Sequence, residues 1–344
     1  MSGWSSSCRS PLLLVLLLLL FPLAADATSQ TTAAAAAGGD RDTLLAIKKS
    51  WGYPPQLAAS WDPSATANHC AWKGVTCSGG GGGGIGVVTE LSLPGLNLTL
   101  PIPASVCALE NLARLDLSYN NLAGAFPAAA LYPCAARLRS LDLSHNLLSG
   151  PLPSGIGSLS PATMEHLDLS ANLFTGEIPE AFAGLTELTQ LNMSSNKLTG
   201  AVPAWALRHG KLEYLYLFDN ALSGELPRDV TAVNLIELDF SMNRLTGEIP
   251  DAFRGLKKLT LLFLYKNQLT GSVPWLFRHD RLESLCLDEN GFTGNLPSEI
   301  TAANLILLNL SRNQLTGGIP QAFGNLRNLK RLFLQNNRFT GTLC

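Results

Sequence analysis

Residues Leu235–Pro250 read LIELDFSMNRLTGEIP, and this stretch decides the fold. Its pattern is L-x-x-L-x-φ-x-x-N-x-L-x-G-x-I-P, in which φ is an apolar residue. The pattern returns, with small variations, in four further stretches: Leu212–Pro227, Leu259–Pro274, Leu282–Pro297 and Leu305–Pro320. Self-similarity at a period of about 20–50 residues is the signature of a solenoid, whose units stack on one another.

An asparagine stands at the same place in each unit. Neighbouring members of this series are 23 to 26 residues apart, and the two intervals of 26 come first. The series is Asn120, Asn146, Asn172, Asn196, Asn220, Asn243, Asn267, Asn290, Asn313 and Asn337. A degenerate unit at Leu91–Pro103 precedes it, and the last unit is incomplete. The sequence therefore predicts eleven repeats over residues 87–344.

Each part of the unit has a mechanical role. The L-x-x-L-x-L segment predicts a short strand whose leucines point inward and whose intervening residues face solvent. Stacked strands form a parallel sheet on the concave side. The asparagine amide can then satisfy peptide groups of neighbouring turns. Gly247 permits a tight backbone path, and Pro250 fixes φ and removes an N–H.

The consensus is identified as the leucine-rich repeat, and L-x-G-x-I-P is similar to its plant-specific class. This resemblance covers the chain from Asp40 to its end. It implies an α/β repeat fold, a right-handed leucine-rich-repeat solenoid with a concave parallel β-sheet. The plant class also implies a twisted solenoid with a second short β edge.

The N-terminus predicts export. Arg9 precedes the apolar run Leu12–Phe21, and Ala25-Asp26-Ala27 fits a small-x-small cleavage site, so residues 1–27 are interpreted as a signal peptide. An uncleaved signal anchor is the alternative. No later run of about 18 apolar residues predicts another membrane span. Residues 28–39 are rich in Thr, Ala and Gly and are interpreted as a flexible leader.

Residues 40–78 are predicted to cap the array. Asp40 opens an amphipathic helix, and the C-x-W-x-G-V-x-C segment from Cys70 to Cys77 resembles the N-terminal cap of plant leucine-rich-repeat receptors and inhibitors. That resemblance implies a Cys70–Cys77 disulfide, which would staple a cap with little core of its own. The glycine run at residues 79–86 has no strand–helix context for phosphate binding and predicts a loop.

Two further cysteines lie in adjacent turns. Cys107 stands 13 residues before Asn120, and Cys134 stands 12 before Asn146. Nearly equivalent positions one strand spacing apart suit a disulfide. The prediction is a Cys107–Cys134 bridge, with two separate buried thiols as the alternative.

Catalysis, metal binding and nucleic-acid binding are not indicated. The five histidines lie outside recognisable nucleophile or metal motifs. The recurrent aspartates of L-D-L-S segments follow the repeat and are not paired as general acid and base. A net charge of −2 at pH 7 gives no field that would favour nucleic acid. We therefore expect a non-enzymatic protein with no cofactor and no metal.

The variable positions of the concave sheet are where recognition is expected. From the sixth repeat they become aromatic, with carboxylates between them, which resembles the composition of binding hot spots. A preference of Tyr and Phe for strands is the alternative explanation. The predicted ligand-binding residues are Tyr214, Tyr216, Phe218, Glu237, Asp239, Phe263, Tyr265 and Asp288.

Three sequons predict N-glycosylation, at Asn97, Asn192 and Asn309. In the repeat frame Asn192 and Asn309 are outward strand residues. Their glycans would therefore sit on the concave face and leave the aromatic stretch between them more open.

The resemblance is strongest to the ectodomains of plant leucine-rich-repeat receptor kinases, especially those that perceive secreted peptides. It implies a module that binds a peptide or protein on its concave face for cell-surface signalling, with a co-receptor kinase as a further partner. The implied location is the secretory pathway, extracellular or on the outer face of the plasma membrane. Because the chain stops inside a repeat, we expect a truncated product or fragment of a longer receptor. The alternative is a secreted protein similar to polygalacturonase inhibitors, which would bind a fungal or plant wall-degrading enzyme.

Overall fold

The computed structural model describes residues 33–79, 86–134 and 136–341. The predicted signal peptide, residues 1–27, and the first part of the predicted leader lie outside these ranges. Helix α1 spans Ala33–Ser50, so residues 33–39 extend the helix instead of forming a flexible leader. Alanine has the highest intrinsic helix propensity, and five alanines open this segment. Leu44 and Ile47 lie on its buried face, and Trp51, the first residue after the helix, is buried with them.

The rest of the cap is a short helix and a hairpin. Helix α2 spans Pro55–Ala58, a 3₁₀ turn spans His69–Ala71, and β1 (Val75–Ser78) pairs antiparallel with β2 (Val87–Ser92). The Cys70–Cys77 disulfide is confirmed, with Cα atoms 5.6 Å apart. The carboxylate of Asp40 accepts a 2.8 Å hydrogen bond from the Val88 amide, which ties α1 to the first strand of the array.

The remaining strands of the main sheet run parallel along the solenoid. Within the described ranges the sheet has twelve strands, of which β1 is the cap strand and the other eleven each belong to one repeat. After β2 these are β3 (Arg114–Asp116), β5 (Ser140–Asp142), β7 (His166–Asp168), β9 (Gln190–Asn192), β11 (Tyr214–Tyr216), β13 (Glu237–Asp239), β15 (Leu261–Phe263), β17 (Ser284–Cys286), β18 (Leu307–Asn309) and β20 (Arg331–Phe333). We number the turns 1 to 11 from β2 to β20.

Short strands on the flank form the second β edge that the L-x-G-x-I-P motif implied. They make three small parallel sheets, ordered β10-β8-β6-β4, β12-β14-β16 and β19-β21. Their bounds are β4 (Ala123–Gly124), β6 (Leu147–Pro151), β8 (Leu173–Glu177), β10 (Lys197–Thr199), β12 (Ser223–Glu225), β14 (Arg244–Glu248), β16 (Gln268–Thr270), β19 (Thr316–Gly317) and β21 (Arg338–Phe339).

The convex side is made mostly of single 3₁₀ turns. Helix α3 (Ala128–Leu131) is the only α-helix that the described part of the array contains. The 3₁₀ segments are Ala104–Ala108, Tyr132–Cys134, Ile156–Ser158, Glu180–Gly184, Ala204–Leu207, Asp251–Gly255, Pro274–Arg278 and Gln321–Asn325. None of the helices within the described ranges has the length and apolar character needed to cross a membrane.

The asparagine series works as the pattern predicted. The Asn243 amide nitrogen donates to the carbonyls of Leu217, Phe240 and Ser241 at 3.0 to 3.2 Å, and its oxygen accepts from the Leu222 amide at 3.0 Å. One side chain therefore joins two turns through peptide groups that the solenoid removes from water.

The Cys107–Cys134 disulfide is also present, with Cα atoms 4.9 Å apart. It links the 3₁₀ segment after turn 1 to the one after turn 2. The two cysteines occupy adjacent turns, so the bridge fixes the spacing of the convex side at the start of the array.

Gly247 is required for two separate reasons. Its φ is +75°, and a Cβ built on it would lie 2.8 Å from Cγ of Glu225 in the preceding turn. Gly247→Ala is therefore expected to lower the free energy of unfolding by about 1–2 kcal/mol, which urea denaturation would measure. Gly255→Ala is the control, since nothing lies within 4 Å of its built Cβ. Equal effects at Gly247 and Gly255 would contradict this explanation.

Candidate ligand-binding face

The outward side chains of the main sheet align in columns because neighbouring strands pair in register. We call the last position of each three-residue strand register, the outward residue after the buried leucine, the central column. From turn 1 it runs Ser92, Asp116, Asp142, Asp168, Asn192, Tyr216, Asp239, Phe263, Cys286, Asn309 and Phe333. Flanking columns lie two residues before and two residues after it.

In six turns, the central column carries Asp or Asn and the next outward residue is Ser. The central side chain accepts a hydrogen bond from the serine amide, as Oδ1 of Asp116 does from Ser118 at 3.0 Å. The six pairs are Asp116–Ser118, Asp142–Ser144, Asp168–Ser170, Asn192–Ser194, Asp239–Ser241 and Asn309–Ser311, with amide distances of 2.8 to 3.1 Å. These pairs stabilise the backbone where the strand ends, so they are part of the scaffold.

Asp239 therefore has a structural role that the sequence interpretation missed. It was predicted to contact ligand, but its Oδ1 accepts hydrogen bonds from both the amide and the hydroxyl of Ser241. Its side chain is also buried. The missed signal was the recurrence of Asp/Asn-x-Ser in six turns at one position.

Four turns after the first depart from this pairing. Turn 6 has Tyr216 and Phe218, turn 8 has Phe263 and Tyr265, turn 9 has Cys286 and Asp288, and turn 11 has Phe333 and Gln335. Seven of the eight predicted ligand-binding residues lie in turns 6 to 8, with Asp288 in turn 9. The structure thus places the predicted residues together on one face. Asp239 differs from the others because its side chain bonds Ser241 within the scaffold.

The aromatic side chains are held by defined contacts. The Tyr216 hydroxyl donates a 2.6 Å hydrogen bond to Oε2 of Glu237, and burial together with that charge raises the pKa of Tyr216. Phe263 meets Tyr265 edge to face, with ring centroids 6.2 Å apart. Tyr214 and Phe218 are partly exposed, whereas Tyr216, Phe263 and Tyr265 are closely packed instead of fully solvent-facing.

An apolar cluster on the concave face was not predicted as a unit. It is separate from the main core and consists of Leu261, Phe263, Tyr265, Cys286 and Leu307, with Met242 and Phe333 packed against it. Leu261 and Leu307 occupy the column before the central one, where most turns carry polar or charged residues. Leucine at a position that is polar in most turns was the sequence signal that could have revealed this cluster.

Three aspartates lie side by side at the other end of the face. Asp116, Asp142 and Asp168 are in register on adjacent strands. Burial and the neighbouring charge of Asp168 raise the pKa of Asp142 to about 7, and burial raises the pKa of Asp168. The Asn192 amide donates a 3.0 Å hydrogen bond to Oδ2 of Asp168 and ends this acidic row.

The raised pKa of Asp142 predicts how its ionisation affects stability. A folded-state pKa above the unfolded value of 3.8 gives stability that is present at low pH and lost as pH rises through about 7. Asn would keep the acceptor for the Ser144 amide without the charge. Asp142→Asn is therefore expected to raise the Tm at pH 8 by about 2–4 °C, after allowance for solvent screening, and by less at pH 4.

Thermal unfolding at both pH values would measure this effect, with Asp251→Asn as the control. The Asp251 side chain is 82% exposed in its ion pair with Arg254, so its substitution is expected to change little. A Tm gain for Asp142→Asn that is larger at pH 4 than at pH 8 would contradict the assignment.

The three sequons differ in accessibility. Asn97 is exposed, whereas Asn192 and Asn309 are buried. Asn192 also uses its amide nitrogen on Asp168. The prediction that all three carry glycans, two of them on an open concave face, therefore does not fit the packing of the last two. Their Asp/Asn-x-Ser pairing explains why sequons arise at these positions.

We expect a glycan at Asn97 and none at Asn192 or Asn309 in the folded, secreted chain. Glycopeptide mass spectrometry after expression in plant cells would measure occupancy at each site. Substantial occupancy at Asn309 in folded protein would show that the concave packing described for turn 10 is wrong.

A cluster of His69, Cys70 and Cys77 has ligand atoms close enough for a metal, the one such group found in the described ranges. The two sulfurs are joined in the cap disulfide, so neither is a thiolate ligand. The structure therefore supports a staple at this position.

A disulfide-linked cap followed by stacked turns with one long parallel sheet defines the class of solenoid repeat proteins. The chain matches the Leucine rich repeat N-terminal domain over residues 37–78. It matches the Leucine rich repeat over residues 137–159, 162–222, 234–256 and 280–339. Together these matches cover more than half of the chain, which belongs to the leucine-rich repeat family and is homologous to plant receptor-kinase ectodomains of that family.

Two similar proteins are receptor kinases of Arabidopsis thaliana. Leucine-rich repeat receptor protein kinase EMS1 of Arabidopsis thaliana is 41% identical over 78 residues, which are 23% of this chain and 6% of that protein. The ectodomain of the Arabidopsis receptor kinase GASSHO1/SCHENGEN3, solved with CASPARIAN STRIP INTEGRITY FACTOR 2, superposes with a TM-score of 0.77 at 37% identity, covering 88% of this chain and 36% of that one.

A third similar protein is of a comparable length. The crystal structure of a plant ice-binding protein has a TM-score of 0.73 and 31% identity, covering 88% of this chain and 96% of that one. The receptor kinases are much longer: this chain spans well under half of the receptor structure and under a tenth of the curated relative.

Proposed function

We propose that the chain is an extracellular ligand-recognition module that binds an extended peptide on its concave face. The observation that carries the proposal is the replacement of the Asp/Asn-x-Ser scaffold pair in turns 6 and 8 by Tyr216–Phe218 and Phe263–Tyr265. Scaffold positions that lose a stabilising hydrogen bond and gain large aromatic side chains indicate selection for contact with another molecule.

The geometry of the face favours an extended chain as ligand. The columns run along the solenoid and across the strands, so a peptide lying along them meets one turn about every 4.8 Å. Tyr216 and Phe263 are held by a hydrogen bond and an edge-to-face contact. Anchors that are fixed before binding lose little conformational entropy when a ligand arrives.

The same proposal includes the location of the module and its partners. The similar receptor ectodomain was solved with a bound partner, which supports ligand recognition by this fold. For this chain we propose cell-surface signalling, an extracellular location, a co-receptor kinase as second partner and no enzymatic activity of its own. A wall-degrading enzyme as the bound partner stays a prediction from the sequence alone.

Selection of a displayed library of random 12-residue peptides on the secreted chain tests the proposal. We expect enrichment of peptides whose binding is competed by one another and reduced by Tyr216→Ala. Val233→Ala serves as the control, because Val233 is 53% exposed and lies in the segment that leads from turn 6 to turn 7 outside the concave strands.

Failure to enrich any peptide, or enriched peptides that bind Tyr216→Ala as well as the unchanged chain, would overturn the proposal. Inhibition of a polygalacturonase by the chain, without any peptide binding, would favour the enzyme-inhibitor alternative instead.

A further inference from the structure

Turns 6 to 8 and turns 9 to 11 are two copies of one three-turn block. Residues 205–271 align with residues 275–341 at a constant offset of 70. The identical pairs lie at both internal and outward positions and include Trp205 and Trp275, His209 and His279, Asn234 and Asn304, Phe253 and Phe323, and Phe263 and Phe333. A three-turn period therefore overlies the one-turn repeat in this part of the chain.

The structure preserves the copy in its backbone contacts. Asn234 donates to the Gly210 carbonyl at 2.6 Å, and Asn304 donates to the equivalent Asp280 carbonyl at 2.8 Å. Residues 228–234 and 298–304 have no 3₁₀ turn on the convex side, unlike most other turns in the described array. The two blocks thus have the same architecture outside the concave face as well.

The block explains which turns lost the scaffold pair. Its middle turn keeps the pair in both copies, as Asp239–Ser241 and Asn309–Ser311. Its outer turns lack it in both copies. The third turn of each block places phenylalanine in the central column, Phe263 in one and Phe333 in the other. The candidate face therefore has a phenylalanine at the same position twice, packed within the apolar cluster at Phe263 and partly exposed at Phe333.

The two phenylalanines set a distance for the ligand. They are three strands apart in one parallel sheet, which at about 4.8 Å per strand gives about 14 Å. An extended peptide advances about 3.4 Å per residue, so four residues span about 13.5 Å. In an extended chain, the side chains of residues i and i+4 point to the same side. The side chains of residues i+3 and i+5 point to the opposite side.

Charges give the ligand a direction. Glu213 and Glu237 lie in turns 6 and 7, on the N-terminal side of Phe263. Lys330 and Arg331 are exposed in turn 11 beside Phe333. Complementarity places a basic ligand residue outside the anchor that meets Phe263 and an acidic group near the anchor that meets Phe333.

We infer that the ligand is an extended peptide with two large apolar side chains four residues apart, one over Phe263 and one over Phe333, and a basic residue beyond the first. This specificity rests on the proposed function and deepens it. Each anchor uses the third turn of one block, so the duplication supplies two corresponding positions for one ligand chain.

Selection from the displayed 12-residue library measures the preferred ligand directly, because the spacing between apolar residues can be counted in the enriched peptides. We expect pairs of Leu, Phe, Ile or Met at i and i+4, with Lys or Arg on one constant side. A synthetic peptide from the enriched set should bind about tenfold more weakly when either apolar residue is changed to Ser. Selection on Phe333→Ala should lose the spacing preference but keep single-anchor peptides.

Phe333→Leu is the control for folding, since it keeps an apolar side chain at this position. Arg338→Ala is the control for position, since Arg338 lies in the same turn on the flanking strand β21. Enriched peptides with another spacing or none, or an unchanged spacing preference on Phe333→Ala, would overturn the two-anchor inference while leaving peptide binding intact. If no peptide is enriched on any variant, the proposed function fails and this inference fails with it.

Discussion

Asn243→Ala is expected to lower the free energy of unfolding by about 2–3 kcal/mol. The substitution removes four hydrogen bonds between Asn243 and the peptide groups of turns 6 and 7. The Leu222 amide is left without its partner, which costs about 1–3 kcal/mol, whereas the carbonyls of Leu217, Phe240 and Ser241 each keep a second donor. The substitution also lies in the middle of the array, where the stability of each turn depends on its contacts with the neighbouring turns.

Urea denaturation followed by far-ultraviolet circular dichroism would measure the change, with Asn234→Ala as the matched control. Asn234 is also an asparagine of this turn, but it lies at the surface, where it bonds the Gly210 carbonyl and accepts from Lys258. Its replacement is expected to cost about 0.5–1 kcal/mol. Equal losses for the two variants would show that the internal asparagine series does not stabilise the solenoid.

The double variant Tyr216→Ala/Phe263→Ala is expected to weaken binding of a selected peptide by about 100-fold or more. Hot-spot aromatics commonly contribute about 2 kcal/mol or more each, and these two lie at the centre of turns 6 to 8. Neither residue belongs to the main core cluster, and Phe263 lies in the smaller apolar cluster of the concave face, so the array is expected to lose some stability and remain folded.

Isothermal titration of the selected peptide would give the affinity, and the Tm would report on folding. Val233→Ala provides the reference for a change outside the concave face. An affinity within about threefold of the unchanged chain, with the fold intact, would remove Tyr216 and Phe263 from the binding site.

The fold was predictable because its determinants repeat. Leucine, asparagine, glycine and proline recur at fixed places through ten or eleven units, and each position has one mechanical reason that does not depend on the rest of the molecule. The start of α1 was not predictable from the same logic. Residues 33–39 looked like a polar leader by composition, but their alanines continue the helix that Asp40 was expected to open.

The candidate face could be identified from the sequence, but the role of each residue on it could not. Outward aromatic residues in turns 6 to 8 could be picked out from the sequence because variable positions stand out against a regular pattern, and their binding of a ligand stays a prediction. Asp239 was misassigned because a carboxylate between aromatics looks like a ligand contact, and only the hydrogen bond to Ser241 shows its structural role. The pairing of Asn309 with Ser311 likewise turned an apparent sequon into a scaffold position.

The apolar cluster required the register of the sheet. Leu261 and Leu307 are unremarkable leucines in a leucine-rich chain, and they stand out only when aligned with the polar residues of the same column. Similarly, the 70-residue offset between Phe263 and Phe333 acquires a meaning once three strands are known to separate them in one parallel sheet.

The most direct test of a peptide site on the concave face is photo-cross-linking from single positions. A photoreactive phenylalanine analogue at Phe218, in turn 6, should cross-link a selected peptide, and the same analogue at Val233, outside the concave strands, should not. Both positions are accessible enough to carry the analogue. Cross-linking from Val233 with none from Phe218, while the peptide still binds, would contradict the account.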